Sequence, residues 1–146
     1  MSQKITPRGN NTFLTDVDVR IWLRDNDPEA NNLLDDFEFT PEEIRTAMTL
    51  AIDYYNDRPP YIKNYDYDKF PWRSQLLEGT VANLLFMAAH RFRRNSLQYN
   101  AGGTSISDQE KYQQYDAAGM RLWEEYNLWV TQHKRAINAT IGWASI

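Results

Sequence analysis

The feature that most constrains this chain is a long stretch without proline near its C-terminus. From residue 107 to about residue 140 the apolar positions alternate at steps of three and four, which is the spacing of one helical face. This seam consists of Tyr112, Tyr115, Gly119, Leu122, Tyr126, Trp129, His133 and Ala136. Ser107 and Glu110 have capping-box spacing, which predicts that the helix begins at Ser107. About 33 residues at roughly 1.5 Å each span on the order of 50 Å. One end is therefore expected to project or to pack against another subunit.

A second apolar flank accompanies the seam on the same predicted helix. Trp123, Val130 and Ile137 recur every seven residues. Two flanks allow a helix to bury one against its own domain and to offer the other to a neighbouring subunit, so these three are candidate inter-subunit residues. The alternative is a helix packed between two others of the same fold. Gly119 costs roughly 1 kcal/mol relative to Ala, which predicts a close backbone, a bulky ring or a bend there.

Further helices are predicted upstream. Asp16 is the expected cap of a short helix that carries Val17, Ile21, Trp22 and Leu23, and Pro28 opens a second with Leu33, Leu34 and Phe37. Thr40-Pro41-Glu42-Glu43 combines a capping box with proline at the first helical position. The apolar stripe of that helix is Ile44, Ala47, Met48, Ala51, Ile52 and Tyr55, and the helix ends before the prolines at 59 and 60.

The middle of the chain combines an aromatic connection with another helix. The segment Tyr61 to Trp72 is rich in aromatic residues, and we expect it to fold back over the core and close it. Ser74 is the expected cap of the next helix, whose last turn carries Arg91, Arg93 and Arg94 beside Phe92. The buried stripe of this helix is Leu77, Val81, Leu84, Leu85, Ala88 and Phe92.

These patterns predict a mainly α fold. We expect one domain over residues 1–146, built as a small helical bundle with a long C-terminal helix, an extended loop or hairpin before that helix, and terminal arms at 1–15 and 142–146. Hydrophobic residues make up 42% of the chain, which is enough for a core. The longest apolar stretch, Val81 to Ala89, is far too short to cross a bilayer, so no membrane partner is expected.

The sequence shows no recognisable catalytic or cofactor-binding pattern. The chain has no cysteine, and its two histidines, His90 and His133, lie on different predicted helices. The Gly102-Gly103-Thr104-Ser105 run lacks the lysine of a phosphate-binding loop. We therefore expect no enzyme activity, no metal site and no cofactor. Arg91, Arg93 and Arg94 are weak candidates for DNA contact, because the net charge of −4 opposes general nucleic-acid binding.

Several segments resemble a head–tail connector, also called an adaptor or neck protein, of tailed bacteriophages. The first is Asp16-Val17-Asp18-Val19-Arg20-Ile21-Trp22-Leu23-Arg24, which precedes a short acidic helix. The second runs from Phe39-Thr40-Pro41-Glu42-Glu43-Ile44 to Ala51-Ile52-Asp53-Tyr54-Tyr55-Asn56. The loop from Tyr99 to Ser107 and the tail from Lys134 to Ile146 are also similar to those of neck proteins. The resemblance covers about residues 16 to 140 and is one of pattern.

The resemblance implies a structural virion protein that assembles in the host bacterial cytoplasm and is located in the neck. Such proteins form rings, commonly of twelve copies, that join the portal to the next neck or tail protein and line the channel through which genomic DNA passes without specific binding. Loops and termini typically contact the portal. The corresponding candidates here are Tyr99, Asn100, Gly102, Gly103, Thr104, Ile106, Trp143 and Ile146.

Two other functions remain open at this point. One is a tail-completion or tail-terminator protein of the same neck. The other is a small regulatory DNA-binding module that uses the three arginines, and this hypothesis predicts DNA retention that weakens steeply with salt.

Overall fold

The computed structural model describes residues 13–25, 27, 38–61, 63–66, 69–99 and 106–144, without the side chains of 95–99, 106–109 and 141–144. The regular secondary structure in these ranges is helical. Helix α1 spans Asp16–Leu23, α2 spans Pro41–Asn56, α3 spans Arg73–Tyr99 and α4 spans Ile106–Ala144. The predicted mainly α fold with a long C-terminal helix is confirmed. The short helix predicted from Pro28 lies outside the described residues.

Helices α1 and α2 both begin at reciprocal capping boxes. The Thr40 hydroxyl accepts a hydrogen bond from the Glu43 N–H, and the Glu43 carboxylate accepts one from the Thr40 N–H, as predicted. In α1 the cap is Thr15 rather than Asp16, because Asp18 at the third helical position reaches back to the Thr15 N–H at 3.0 Å. The predicted apolar stripe of α2, from Ile44 to Tyr55, is buried in full.

A buried ion pair attaches α1 to the start of α2. The Arg20 guanidinium lies 3.1 Å from the Asp25 carboxylate, and both side chains are buried. The same carboxylate accepts hydrogen bonds from the N–H groups of Glu38 at 2.6 Å and Phe39 at 3.0 Å. The buried face of α1 is Val17, Val19 and Arg20, whereas Trp22, predicted to join the apolar residues of this helix, is 55% exposed.

Helices α3 and α4 pair in antiparallel fashion and hold the core with α2. Gly79 on α3 faces Tyr126 on α4, and Phe86 faces Gly119. A Cβ on Gly79 would lie 3.0 Å from the Ala51 Cβ of α2 and 3.1 Å from the Tyr126 ring, so three helices converge there. The Tyr126 hydroxyl donates a hydrogen bond to the Ala51 carbonyl. The ring predicted to approach Gly119 is that of Phe86, 2.9 Å from where a Cβ would lie.

Several predicted boundaries differ from the structure. Helix α3 begins at Arg73 instead of Ser74, and it continues to Tyr99 instead of ending in the arginine run. No proline or glycine occurs between Arg94 and Tyr99, so nothing in the sequence stops the helix there. Helix α4 begins at Ile106, which places Ser107 inside its first turn rather than at its cap.

The predicted terminal arms are shorter than expected where the structure describes them. Leu14 is buried in the core and Thr15 caps α1, so these two residues belong to the packed body. At the other end α4 continues to Ala144, which makes residues 142–144 helical.

The aromatic segment after α2 folds onto the core, as predicted. Phe70 is fully buried, and its ring packs edge-on against Tyr55 at 5.2 Å and Trp72 at 5.2 Å. The Asn56 side chain fixes the segment by exchanging two hydrogen bonds with the Tyr65 backbone, each 3.0 Å long. Of the described helices, none carries an apolar run long enough to cross a bilayer.

Candidate interaction surface

The C-terminal half of α3 forms a basic, open groove beside the first turn of α2. Its cavity has a volume of about 410 Å³. The residues that line this basic groove are Glu43, Met87, His90, Arg91 and Arg94. His90, Arg91, Arg93 and Arg94 are all exposed. The groove therefore combines solvent-exposed positive charge with the apolar surface of Met87.

The cations of this region differ in how fully they are engaged. Arg91 lies 3.2 Å from the Glu43 carboxylate and donates a 3.5 Å hydrogen bond to the Glu38 carbonyl. The Arg93 guanidinium lies 5.7 Å from the centre of the Tyr112 ring. Arg94 and His90 have no polar partner within the described residues. Among the described arginines of this region, Arg94 is thus one with which a negatively charged partner can pair.

The surface of α4 that faces away from α3 combines apolar and acidic side chains. We define this outer face by Ala117, Met120, Arg121, Glu124, Glu125 and Leu128, which share helical spacing. Leu128 is 58% exposed and Met120 is 47% exposed. Exposed aliphatic side chains that recur along one helix face are typical of surfaces that contact another protein.

An acidic pair borders the outer face. Glu78 on α3 lies near Glu125, and its pKa is raised, first by partial burial and then by the negative charge of Glu125. Within the described part of the chain, no ion pair involves Glu78, Glu124 or Glu125. The cation nearest to Glu124 and Glu125 along the outer face is Arg121, one helical turn earlier, and the described structure shows no ion pair between them.

A buried aromatic cluster surrounds Lys134 on the inner side of α4. The Lys134 ammonium lies 4.2 Å above the centre of the Tyr55 ring and donates a 3.1 Å hydrogen bond to the Pro60 carbonyl. The His133 ring stacks on the Trp129 ring, with 4.9 Å between the ring centres. It meets the Trp72 ring edge-on, with 4.4 Å between the ring centres. Burial lowers the pKa of both Lys134 and His133, and the charge of Lys134 lowers that of His133 further.

This cluster joins the aromatic segment to α4. Lys134 is only 3% exposed. Its ammonium group contacts a backbone carbonyl and the face of an aromatic ring. His133 Nε2 is buried and has no hydrogen-bond partner among the residues that the structure describes. In the ranges covered by the structure, no group of three His, Cys, Asp or Glu residues is arranged to hold a metal ion.

Of the three predicted inter-subunit residues, one is buried in the core and two are half-buried. Val130 is fully buried, so its side chain presents no surface to a neighbouring subunit and the prediction for this residue is wrong. Trp123 is half-buried and packs edge-on against Tyr54 at 4.8 Å. Ile137 is half-buried near the end of the helix. The residues at this seven-residue spacing lie on the side of α4 that faces α2. The exposed residues of α4 lie on a different side of the helix.

The predicted portal contacts lie largely beyond the described residues. Asn100, Gly102, Gly103, Thr104 and Ile146 lie outside them. Tyr99 ends α3 and Ile106 begins α4, so both are helical rather than parts of a loop, and Trp143 lies in the last turn of α4.

Three exposed apolar residues and two buried cations, Arg20 and Lys134, were not predicted from the sequence. Leu50 is 47% exposed on α2, and Met120 and Leu128 are exposed on α4. The spacing of Met120 and Leu128 by eight residues was a readable signal of one helix face. Lys134 was not predictable, because its ring and carbonyl partners lie more than seventy residues earlier in the chain.

Comparison with known proteins identifies no relative of this chain. No protein-family model, no curated protein and no solved structure matches this chain. The helical fold and its two exposed surfaces are therefore the features from which a function can be inferred.

Proposed function

We propose that this protein is a structural subunit of the neck of a tailed bacteriophage. It forms a homo-oligomeric ring that joins the portal to the next neck or tail protein and surrounds the DNA channel. The observation that carries the proposal is the length of α4, which has 39 residues and exposes Met120 and Leu128 on its outer face. At roughly 1.5 Å per residue, this helix is about 58 Å long.

The end of α4 supports a role in contacting a partner. Among the described side chains of α4, Lys134 is the last that is buried, and between 135 and 140 only Ile137 is half-buried. Helix α4 continues to Ala144, about 15 Å past Lys134. A helix that extends beyond its own core gains little from packing within one chain. A neighbouring protein that covers this end would supply the missing contacts.

The experiment is sedimentation velocity and negative-stain electron microscopy of the purified chain, alone and mixed with the portal of the same phage. We expect self-association that increases with concentration, and closed rings when portal is present. A chain that stays monomeric up to about 100 μM, roughly the range of weak self-association, and ignores the portal overturns the proposal. Rings that form on purified tails, and not on portals, would favour the tail-completion function instead.

The regulatory DNA-binding function receives less support from the charges. Glu43 neutralises Arg91, and the net charge of the chain is −4. A mobility-shift assay with duplex DNA at low salt separates the two functions. Retention that weakens steeply between about 50 and about 200 mM salt would favour the DNA-binding module, whereas we expect no shift.

A further inference from the structure

The α3–α4 pair carries a group of basic residues towards one end and a pair of acidic residues towards the other. His90, Arg93 and Arg94 lie near the end of α3, whereas Glu78 lies near the beginning of α3, with Glu125 of α4 close to it. From Glu78 to Arg94 the separation along α3 is about 24 Å at roughly 1.5 Å per residue. This exceeds the screening length of about 8 Å in physiological salt, so the two regions cannot neutralise each other within one chain.

Each region also carries apolar surface that it leaves uncovered. Met87 lines the basic groove, and Met120 and Leu128 flank the acidic residues of the α4 outer face. A convex helix face with apolar and acidic residues is complementary to a concave groove with apolar and basic residues. Two different patches that complement each other form a heterologous contact, which generates rings or filaments.

We propose that the basic groove of one copy receives the α4 outer face of a second copy, with Arg94 facing Glu124 and Glu125. This inference depends on the proposed function, because it names the surfaces through which the ring subunits meet. The partner is a second copy rather than another acidic protein, since both complementary patches are present on every chain. Burial of Leu128 and Met120 supplies apolar contact, and the charges set the register.

Charge reversal tests the contact in the full-length chain. Arg94→Glu alone and Glu125→Arg alone should each weaken self-association at least about tenfold, because each places like charges opposite one another. Combining both substitutions in one chain should restore the association to within about threefold of the original. The matched controls are Arg45→Glu and Asp53→Arg on the exposed side of α2, which should leave association unchanged.

A cross-linking experiment tests the same contact without reversing a charge. The chain has no cysteine, so Arg94→Cys and Glu125→Cys each introduce a single thiol. When one of the two variants carries a size tag, a short bismaleimide should join position 94 of one chain to position 125 of the other. The control variant Arg45→Cys should give no such product with Glu125→Cys.

The outcomes separate this inference from the proposed function. Rings that form normally in the charge-reversal variants, or cross-links only between two copies of position 94, overturn the proposed contact and leave the ring itself intact. Loss of self-association in the single variants and its recovery in the combined variant support both. A parent chain that never associates, alone or with portal, overturns the proposed function and this inference with it.

Discussion

At the scale of single residues, the His133 imidazole is held among aromatic rings. Its Nε2 atom is buried with no hydrogen-bond partner among the described residues, and Trp72 and Trp129 cover the ring. Burial, followed by the charge of Lys134, lowers its pKa below the ordinary value of 6.5. The folded chain therefore binds a proton at this site less readily than the unfolded chain does.

We predict that His133 makes the protein less stable in mild acid. Just below pH 6.5 the unfolded state binds more protons at this site, so the free energy of unfolding falls as the pH decreases, by at most about 1.4 kcal/mol per pH unit. Urea unfolding at about pH 7.5 and about pH 5 measures this loss. His133→Gln should lose less stability than the parent over this interval. His90→Gln, at the exposed histidine, should lose as much as the parent, and equal losses in all three chains would contradict the prediction.

The Asp25 carboxylate supports a second prediction at this scale. It pairs with buried Arg20 and accepts two backbone N–H bonds, from Glu38 and Phe39. Asp25→Ala leaves a buried guanidinium without this carboxylate, and removing one partner of such a pair typically costs about 3–5 kcal/mol. Urea unfolding should show this loss, while Asp53→Ala at an exposed position should change stability by less than about 0.5 kcal/mol. A loss below about 1 kcal/mol for Asp25→Ala would show that water replaces the carboxylate.

The sequence could not predict these residue-scale features. Arg20 lies between Val19 and Ile21, and nothing in its neighbourhood distinguishes a buried cation from an exposed one. Its burial depends on where Asp25 and the Glu38–Phe39 backbone come together. Lys134 is similar, since Tyr55 and Pro60 become its neighbours only after the helices have packed.

At the scale of helices, the sequence predicted which segments are helical more reliably than the residues at which the helices begin and end. The Thr40 cap, the α2 stripe and the close approach at Gly119 follow from local spacing, and the structure confirms them. The predicted end of α3 lies several residues before the observed one, because basic residues that are typical of a last turn occur here inside the helix. Charge near a helix end is a weak signal, whereas periodic burial is a strong one.

The α3–α4 contact at Gly119 supports a prediction about packing. Gly→Ala in a helix usually gains about 1 kcal/mol, but here the new Cβ would lie 2.9 Å from the Phe86 ring and 3.2 Å from the Ala82 carbonyl. Gly119→Ala should therefore destabilise the protein by about 1–3 kcal/mol. Phe86→Leu removes the ring, so Gly119→Ala should cost less in that background.

Gly79→Ala is the matched control for this double-mutant cycle. A Cβ at Gly79 would meet Ala51 and Tyr126, neither of which Phe86→Leu changes. Its cost in urea unfolding should be the same in both backgrounds. An equal cost of Gly119→Ala with and without the Phe86 ring would contradict the proposed origin of the strain.

At the scale of the whole molecule, the body and the end of α4 differ in how they are stabilised. Between Tyr112 and Lys134 the helix packs against α3, α2 and the aromatic segment, with Tyr126 and Val130 fully buried. Beyond Lys134 nearly every described side chain is exposed. Helical structure without tertiary contacts is only marginally stable in water. We therefore expect the segment of α4 beyond Lys134 to be less stable than the packed part of the helix in the free chain.

This difference predicts how backbone amides exchange with deuterated solvent. In the free chain, amides from 135 to 144 should exchange within seconds to minutes, whereas those from 119 to 130 should be protected close to the global free energy of unfolding. In rings formed with the portal, the amides from 135 to 144 should become protected at least about tenfold, because the partner covers that end of α4. The segment 119–130 is the internal control and should change little. Strong protection of 135–144 in the free monomer, or no change on assembly, would contradict the view that this end of the helix is completed by a partner.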